Sequence, residues 1–248
     1  MSVFITGGSR GIGAGIVDAA LREGYDVAFT YVQAEDAALR VQQRAKEEYP
    51  DRRCMAFQLD VTSAAQVEEV GDRVLDEFGN VEIVVNCAGK NDDNLLVSMT
   101  DEQWQGVLDT NLSGPFFVCR HFLPQMMSNR YGRIINISSI AAGGSSGQVN
   151  YAASKAGLLA LTACIAKEYG RKGITANAVV PGIFDTDMTR ETLPEQAKEY
   201  WKQYCPIPKG RFGELQEVGD VVMFLASKKA SYVNGEVINV TGGLNWIY

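Results

Sequence analysis

Two groups of residues could carry chemistry. Tyr151 and Lys155 stand four apart, so on a helix they share one face. A free phenol has a pKa of about 10 and is a poor proton donor or acceptor near neutrality. A neighbouring ammonium favours the phenolate and lowers that pKa. Ser138 and Ser139 precede this pair at the end of an apolar run. A hydroxyl there can donate to a carbonyl while Tyr151 protonates the alkoxide that develops.

The second group is Thr6-Gly7-Gly8-Ser9-Arg10-Gly11-Ile12-Gly13. It joins the apolar run Val3 to Thr6 to a helical pattern over 11–23. Glycines permit a tight turn and a close backbone approach, and the helix start offers unpaired N–H groups to an anion such as a dinucleotide pyrophosphate. The spacing is G-x-x-x-G-x-G. An acid that could take a ribose 2′-hydroxyl is missing at the end of the second strand, where Tyr31, Val32 and Gln33 stand. Arg10, inside the turn, could meet a 2′-phosphate, which favours NADP(H) over NAD(H). The plainer alternative leaves Arg10 as a solvated surface cation.

The elements that must position these groups alternate strictly. Strands are expected over 3–6, 27–31, 54–59, 82–86, 133–138, 174–180 and 237–240. Helices are expected over 11–23, 35–49, 64–78, 101–127, 151–169, 194–203 and 215–226, the fourth bent near Gly114-Pro115. Val67, Val70, Val74 and Phe78 mark one apolar face of the third helix. Such alternation argues for a parallel sheet covered on both faces, an α/β architecture in a single domain over 1–248. Asp60-Val61 and Asn86-Cys87-Ala88-Gly89 then fall at the carboxyl ends of strands, where an adenine and a ribose could sit.

Composition narrows the function. Lys and Arg number 23 and Asp and Glu 30, a net charge of −7, which argues against nucleic acid and anionic membranes as partners. One histidine, His121, leaves no room for a His-rich metal site or a Ser-His-Asp triad. It reads as structural. The five cysteines (54, 87, 119, 164 and 205) form no C-x-x-C pair and fit reduced thiols in the cytoplasm, with no metal centre. No targeting segment is visible, and the uncharged stretch 134–154 is too rich in Ser, Gly and Asn to span a membrane.

Taken in order, the Gly-rich turn, Asn86-Cys-Ala-Gly89, Asn111, Ser138-Ser139, Tyr151-Ala-Ala-Ser-Lys155, Asn177, Pro181-Gly182 and Thr186 resemble the short-chain dehydrogenases/reductases over nearly the whole chain. The resemblance implies a three-layer Rossmann fold with a doubly wound, seven-stranded parallel sheet. It implies a tetrad of Asn111, a serine, Tyr151 and Lys155, with Asn111 holding a water in a proton relay. It implies cofactor contacts from Gly7, Ser9, Arg10, Gly11, Ile12, Gly13, Tyr31, Asp60, Val61, Asn86, Ala88, Gly89, Tyr151, Lys155, Pro181, Gly182, Ile183 and Thr186. The serine is ambiguous. The second of an Ile-Ser-Ser strand end is Ser139, whereas thirteen residues before Tyr151 is Ser138. Sheet register fixes strand position more firmly than loop length does, which favours Ser139.

Within that family, Asp93-Asn-Leu-Leu96, Met126-Met127, Gln148-Val-Asn-Tyr151 and Phe184-Asp-Thr-Asp-Met-Thr189 resemble the β-ketoacyl-[acyl carrier protein] reductases. Such an enzyme would meet an acidic carrier through a local basic patch. Arg130, Arg133, Arg171 and Lys172 are candidates, and the resemblance points to Arg130 and Lys172. They fall at the amino ends of their strands, away from the subunit's own site, and ordinary solvated cations are an equal reading. A lid over about 183–213 would hold Met188, Trp201, Tyr204 and Pro206. The family is usually dimeric or tetrameric, which makes a homotetramer or homodimer the expectation. A dehydrogenase of a free alcohol, sugar or sterol, or a non-catalytic NADP-binding regulator, are the competing readings.

Overall fold

In the computed structural model, residues 1–186, 189–190, 195–204 and 210–244 are described. Seven strands form one parallel sheet: β1 (Ser2–Thr6), β2 (Asp26–Tyr31), β3 (Cys54–Gln58), β4 (Ile83–Asn86), β5 (Gly132–Ile137), β6 (Ile174–Pro181) and β7 (Val237–Val240). Their order is β3-β2-β1-β4-β5-β6-β7, with every pairing parallel. The order reverses between β1 and β4, so the crossover connections diverge there and leave a crevice at the carboxyl ends of the strands.

Eight α-helices lie among the described residues, and most of them cover the two faces: α1 (Gly11–Arg22), α2 (Glu35–Glu48), α3 (Ala64–Phe78), α4 (Asp101–Leu108), α5 (Gly114–Asn129), α6 (Val149–Tyr169), α7 (Glu195–Tyr204) and α8 (Leu215–Ala226). Alternate residues of the central strands feed two cores. Ile5, Val85, Ile135 and Val179 meet α1 and α8, while Phe4, Val84, Ile134 and Ala176 meet α3, α5 and α6. The face of α3 anticipated from Val67, Val70 and Val74 is buried in the second core. α6 has the length and apolarity of a membrane span. Here it packs along the sheet, with Leu158, Thr162, Ile165 and Ala166 buried.

The long helical pattern over 101–127 is interrupted next to Gly114-Pro115, by a π turn over Asp109–Ser113. Thr110 Oγ1 bonds back to the Gly106 carbonyl at 3.0 Å, and the wider turn that follows carries Asn111 into the interior. Pro115 follows the π turn at the start of α5 and offers no N–H to the carbonyls of that turn.

A buried polar ladder ties α6 to the sheet. Asn86 Nδ2 donates to Asn136 Oδ1 at 2.8 Å, and Asn136 Nδ2 donates to Thr162 Oγ1 at 2.8 Å. All three side chains are buried. Thr162→Val keeps the shape but leaves the Asn136 amide without an acceptor. It should cost about 1–3 kcal/mol of unfolding free energy, measured by urea denaturation. An unchanged midpoint would show that the ladder does not hold α6.

Candidate active site

Four loops at the carboxyl edge of the sheet build the site. Thr6, the last residue of β1, accepts the N–H groups of Cys87 and Ala88 on Oγ1 at 3.0 Å each. Thr30 of β2 accepts the Gly7 N–H on Oγ1 at 3.2 Å and the Gly8 N–H on its carbonyl at 2.9 Å. These two threonines pin the Gly-rich turn, and sequence patterning did not single them out for this. Their one signal was a polar residue closing an apolar strand.

The turn fits a dinucleotide pyrophosphate. Gly7 has φ +70°, and a Cβ on it would lie 2.9 Å from the Ala88 Cα; a Cβ on Gly13 would collide with the Gly7 carbonyl. α1 begins with no side-chain cap and no acid in its first turn, so its N–H groups and positive dipole end face the turn unopposed. Ser9 is buried and Ile12 packs on the first core. Arg10 is exposed at the N-cap of α1. Thr186 reaches across to within 3.6 Å of a Cβ on Gly11, so the start of the expected lid overlies the turn. Asp60 is braced by Thr62, whose N–H and hydroxyl both reach Oδ1, while Val61 packs on Gly114. Gly182 follows β6 and bonds to the Val240 carbonyl; a Cβ there would meet Thr241 at 2.8 Å. The anticipated cofactor residues therefore line one edge of the sheet, from Tyr31 and Asp60 past Gly7 and Ala88 to Pro181, Gly182 and Ile183. Met188, Pro206 and the Tyr204 side chain lie outside the described residues.

Tyr151 and Lys155 lie on the first turns of α6. Lys155 Nζ donates to the Ile137 carbonyl at 2.9 Å and stands 5.6 Å from the Tyr151 ring centre. It is buried with no carboxylate partner among the described residues, and desolvation lowers its pKa to about 8. The Tyr151 pKa lies above its ordinary value, chiefly through burial, although the Ser139 hydroxyl facing it pulls the other way. Within the chain alone, burial moves both groups toward their neutral forms.

The two serines part as sheet geometry requires. Ser138 is buried and donates its hydroxyl to the Lys155 carbonyl at 2.9 Å. Ser139 follows the strand, accepts the Ala141 N–H at 3.1 Å and faces Tyr151. Asn111 is fully buried. Its Oδ1 accepts the Lys90 N–H at 2.9 Å, and Nδ2 donates to the Lys90 carbonyl at 2.9 Å and to Ser154 Oγ at 3.1 Å. Ser154 Oγ donates in turn to the Tyr151 carbonyl at 2.7 Å. Gly89 separates the two polar groups: a Cβ there would lie 3.3 Å from Asn111 Oδ1 and 3.4 Å from Lys155 Nζ. Sequence reasoning missed Ser154 and Asn150, which accepts the Tyr151 N–H and fixes two carbonyls across the loop.

Arg130 and Lys172 are exposed in turns before β5 and β6, at the opposite edge from Tyr151. Arg133 does not belong with them. It is buried, donates to the Gly132 carbonyl and stacks on Tyr131 at 4.4 Å, because its register position points into the sheet face. His121 is largely covered, edge-on to Phe122 and 3.7 Å from Asp72, a structural placement. Among the described residues no group of three or more His, Cys, Asp or Glu is placed to hold a metal ion.

A Gly-rich crevice over an uncapped helix, with a half-buried tyrosine, a buried lysine and a facing serine, defines a nucleotide-dependent oxidoreductase site. A family model described as enoyl-(acyl carrier protein) reductase matches residues 7–245. The chain belongs to the short-chain dehydrogenase/reductase family. It is 41% identical to the 3-oxoacyl-[acyl-carrier-protein] reductase FabG of Staphylococcus aureus strain Mu50 over 98% of this chain and 97% of that protein. It is 40% identical to the enzyme of the same name in Escherichia coli strain K12, over 97% of this chain and 96% of the other.

Two outcomes follow. Ser139→Ala should lower kcat by about 10²-fold, as for loss of a donor to a developing oxyanion. Ser138→Ala should leave turnover within a few-fold and lower stability by about 1 kcal/mol. Retained turnover in Ser139→Ala would reverse the assignment. For Lys155, the unfolded chain binds more protons than the folded one between pH 8 and the free-lysine pKa of 10.5. Stability from this group therefore rises with pH across that window. Lys155→Met should abolish that rise in denaturation curves taken from pH 7.5 to 10.5.

Proposed function

We propose that the protein reduces a β-ketoacyl thioester, carried on an acyl carrier protein, to the β-hydroxyacyl form with NADPH, in fatty acid or polyketide-type synthesis. The observation that carries the reading is Tyr151, faced by Ser139 and backed by the buried Lys155 at the end of a dinucleotide-binding crevice. Likeness to 3-oxoacyl-[acyl-carrier-protein] reductases over nearly the full length supports the substrate class.

When bound, the nicotinamide supplies the hydride. The chain does the rest. The Gly7–Gly13 turn and the start of α1 hold the phosphates, and Ala88, Gly89, Pro181, Gly182, Ile183 and Thr186 frame the reactive end. Ser139 donates to the ketone oxygen. Tyr151 gives its proton to that oxygen, and a phenol kept neutral by burial is already in the donating form. Lys155 holds ribose hydroxyls and relays a proton back to Tyr151. Both amide hydrogens of Asn111 are engaged within the chain, so a water relay there would use its main-chain carbonyl.

Arg10 stands at the N-cap of α1 with no acid at the end of β2, and it would pair with a 2′-phosphate. The whole chain acts as one domain with residues 183–213 as its lid, in a soluble cytoplasmic protein that needs no metal. The exposed Phe116 and Phe224 suit burial in a homotetramer or homodimer. Arg130 and Lys172 then serve a neighbouring subunit's site by meeting the acidic carrier. A dehydrogenase of a free alcohol uses the same residues and is the second reading.

The deciding assay follows NADPH oxidation with a β-ketoacyl carrier protein beside acetoacetyl-CoA and simple ketones. Carrier-linked turnover should lead, and a preference for free ketones would overturn the reading. Arg10→Ala should reduce kcat/KM for NADPH about tenfold or more while sparing NADH. Equal use of both cofactors by the native enzyme would remove the role given to Arg10. Reversing charge at Arg130 and Lys172 should slow carrier-linked turnover far more than that of a small ketone.

A further inference from the structure

The segment between β4 and α4 places three consecutive apolar residues in solvent. Leu95, Leu96 and Val97 are 59%, 75% and 91% exposed. They are held rigidly. Leu95 opens a 3₁₀ turn over Leu96–Ser98, closed by the Ser98 N–H on the Leu95 carbonyl at 2.9 Å. Asn94 clamps both ends, its N–H on the Gly147 carbonyl at 2.8 Å and its Nδ2 on the Ser98 carbonyl at 2.9 Å. An isolated bridge pairs Asn94 with Gln148, three residues before Tyr151, and Gln148 Nε2 reaches Asp93 at 2.9 Å. The apolar step therefore begins at the rim of the reacting centre.

Charge selects the occupant. Residues 91–102 contain four acids, Asp92, Asp93, Asp101 and Glu102, all exposed, and no Lys or Arg. An acidic carrier would be repelled there. A second copy seated with this patch on the two-fold axis would bring the four carboxylates of each copy together. An uncharged chain meets no such penalty and gains by covering apolar surface. The Gly-rich turn fills the other end of the crevice, so a chain leaving the ketone has this rim on its way out.

We infer that Leu95, Leu96 and Val97 form the platform on which the alkyl chain of the β-ketoacyl substrate lies, and that they set chain-length preference. This rests on the thioester-reductase reading above. The test compares kcat/KM for 3-oxobutanoyl-CoA and 3-oxododecanoyl-CoA in the native enzyme, Leu96→Asn and Val97→Asn. The ratio of long to short should fall about tenfold in the variants, the equivalent of about two methylenes returned to water. Val97→Phe, which widens the surface, should raise it. An unchanged ratio, or equal losses on both substrates, would overturn the platform while leaving the reductase reading intact. Failure of the native enzyme on both thioesters, with turnover of a simple ketone, would overturn both. A change in the variants' mass by light scattering would instead make the patch an interface between copies and overturn the inference.

Discussion

The contact on which the molecule depends is the pair of hydrogen bonds from the Cys87 and Ala88 N–H groups to Thr6 Oγ1. It joins the carboxyl ends of β1 and β4, the two strands between which the winding reverses. A parallel sheet has no hairpin to fix such neighbours, so side chains must supply the link beyond the last ladder bond. With the strands held, Gly7 and Ala88 approach so closely that only glycine fits at position 7. The phosphate turn, the ribose end of the crevice and the path to Lys155 are consequences of that one closure.

A second constraint is electrostatic. A buried ammonium with only a backbone acceptor is costly, and the chain concentrates polar support around it instead of neutralising it with a carboxylate. Ile137 gives its carbonyl to Nζ, Ser138 secures the Lys155 main chain, and Ser154 joins the Tyr151 turn to Asn111. A carboxylate would have fixed the charge and occupied the donors. Leaving the lysine unpaired keeps its remaining hydrogens available for ribose hydroxyls and its proton mobile near neutrality.

Much of this was legible in the residues themselves. Alternating apolar runs and helical periods gave the sheet and its layers, and glycine spacing gave the turn, because both follow from local backbone physics. Strand register separated Ser139 from Ser138, since adjacent strand residues must face opposite ways. What escaped was non-local. Nothing near Thr6 or Thr30 in sequence announces the backbone groups they meet. Arg133 looked like a surface cation among other cations until its register turned it into the sheet. The burial that raises the Tyr151 pKa is a property of the whole fold, whereas a neighbouring lysine is visible four residues away. The interruption expected near Gly114-Pro115 takes the form of a π turn, which no residue pattern announces.

That π turn can be read as an insertion. Each residue rotates an α-helix by about 100°, so a turn holding one extra residue shifts everything after it by that angle. α4 and α5 are thus a single rod wound out of phase with itself, and Asn111 sits at the dislocation. Deleting any residue between 109 and 113 would heal the rod, rotate one half against the other, and carry the amide away from Lys90 and Ser154. The exposed stretch 143–146 can differ in length at little cost. The chain therefore counts residues strictly in the interior of a helix and loosely in a neighbouring loop, the reverse of where length is usually thought to matter.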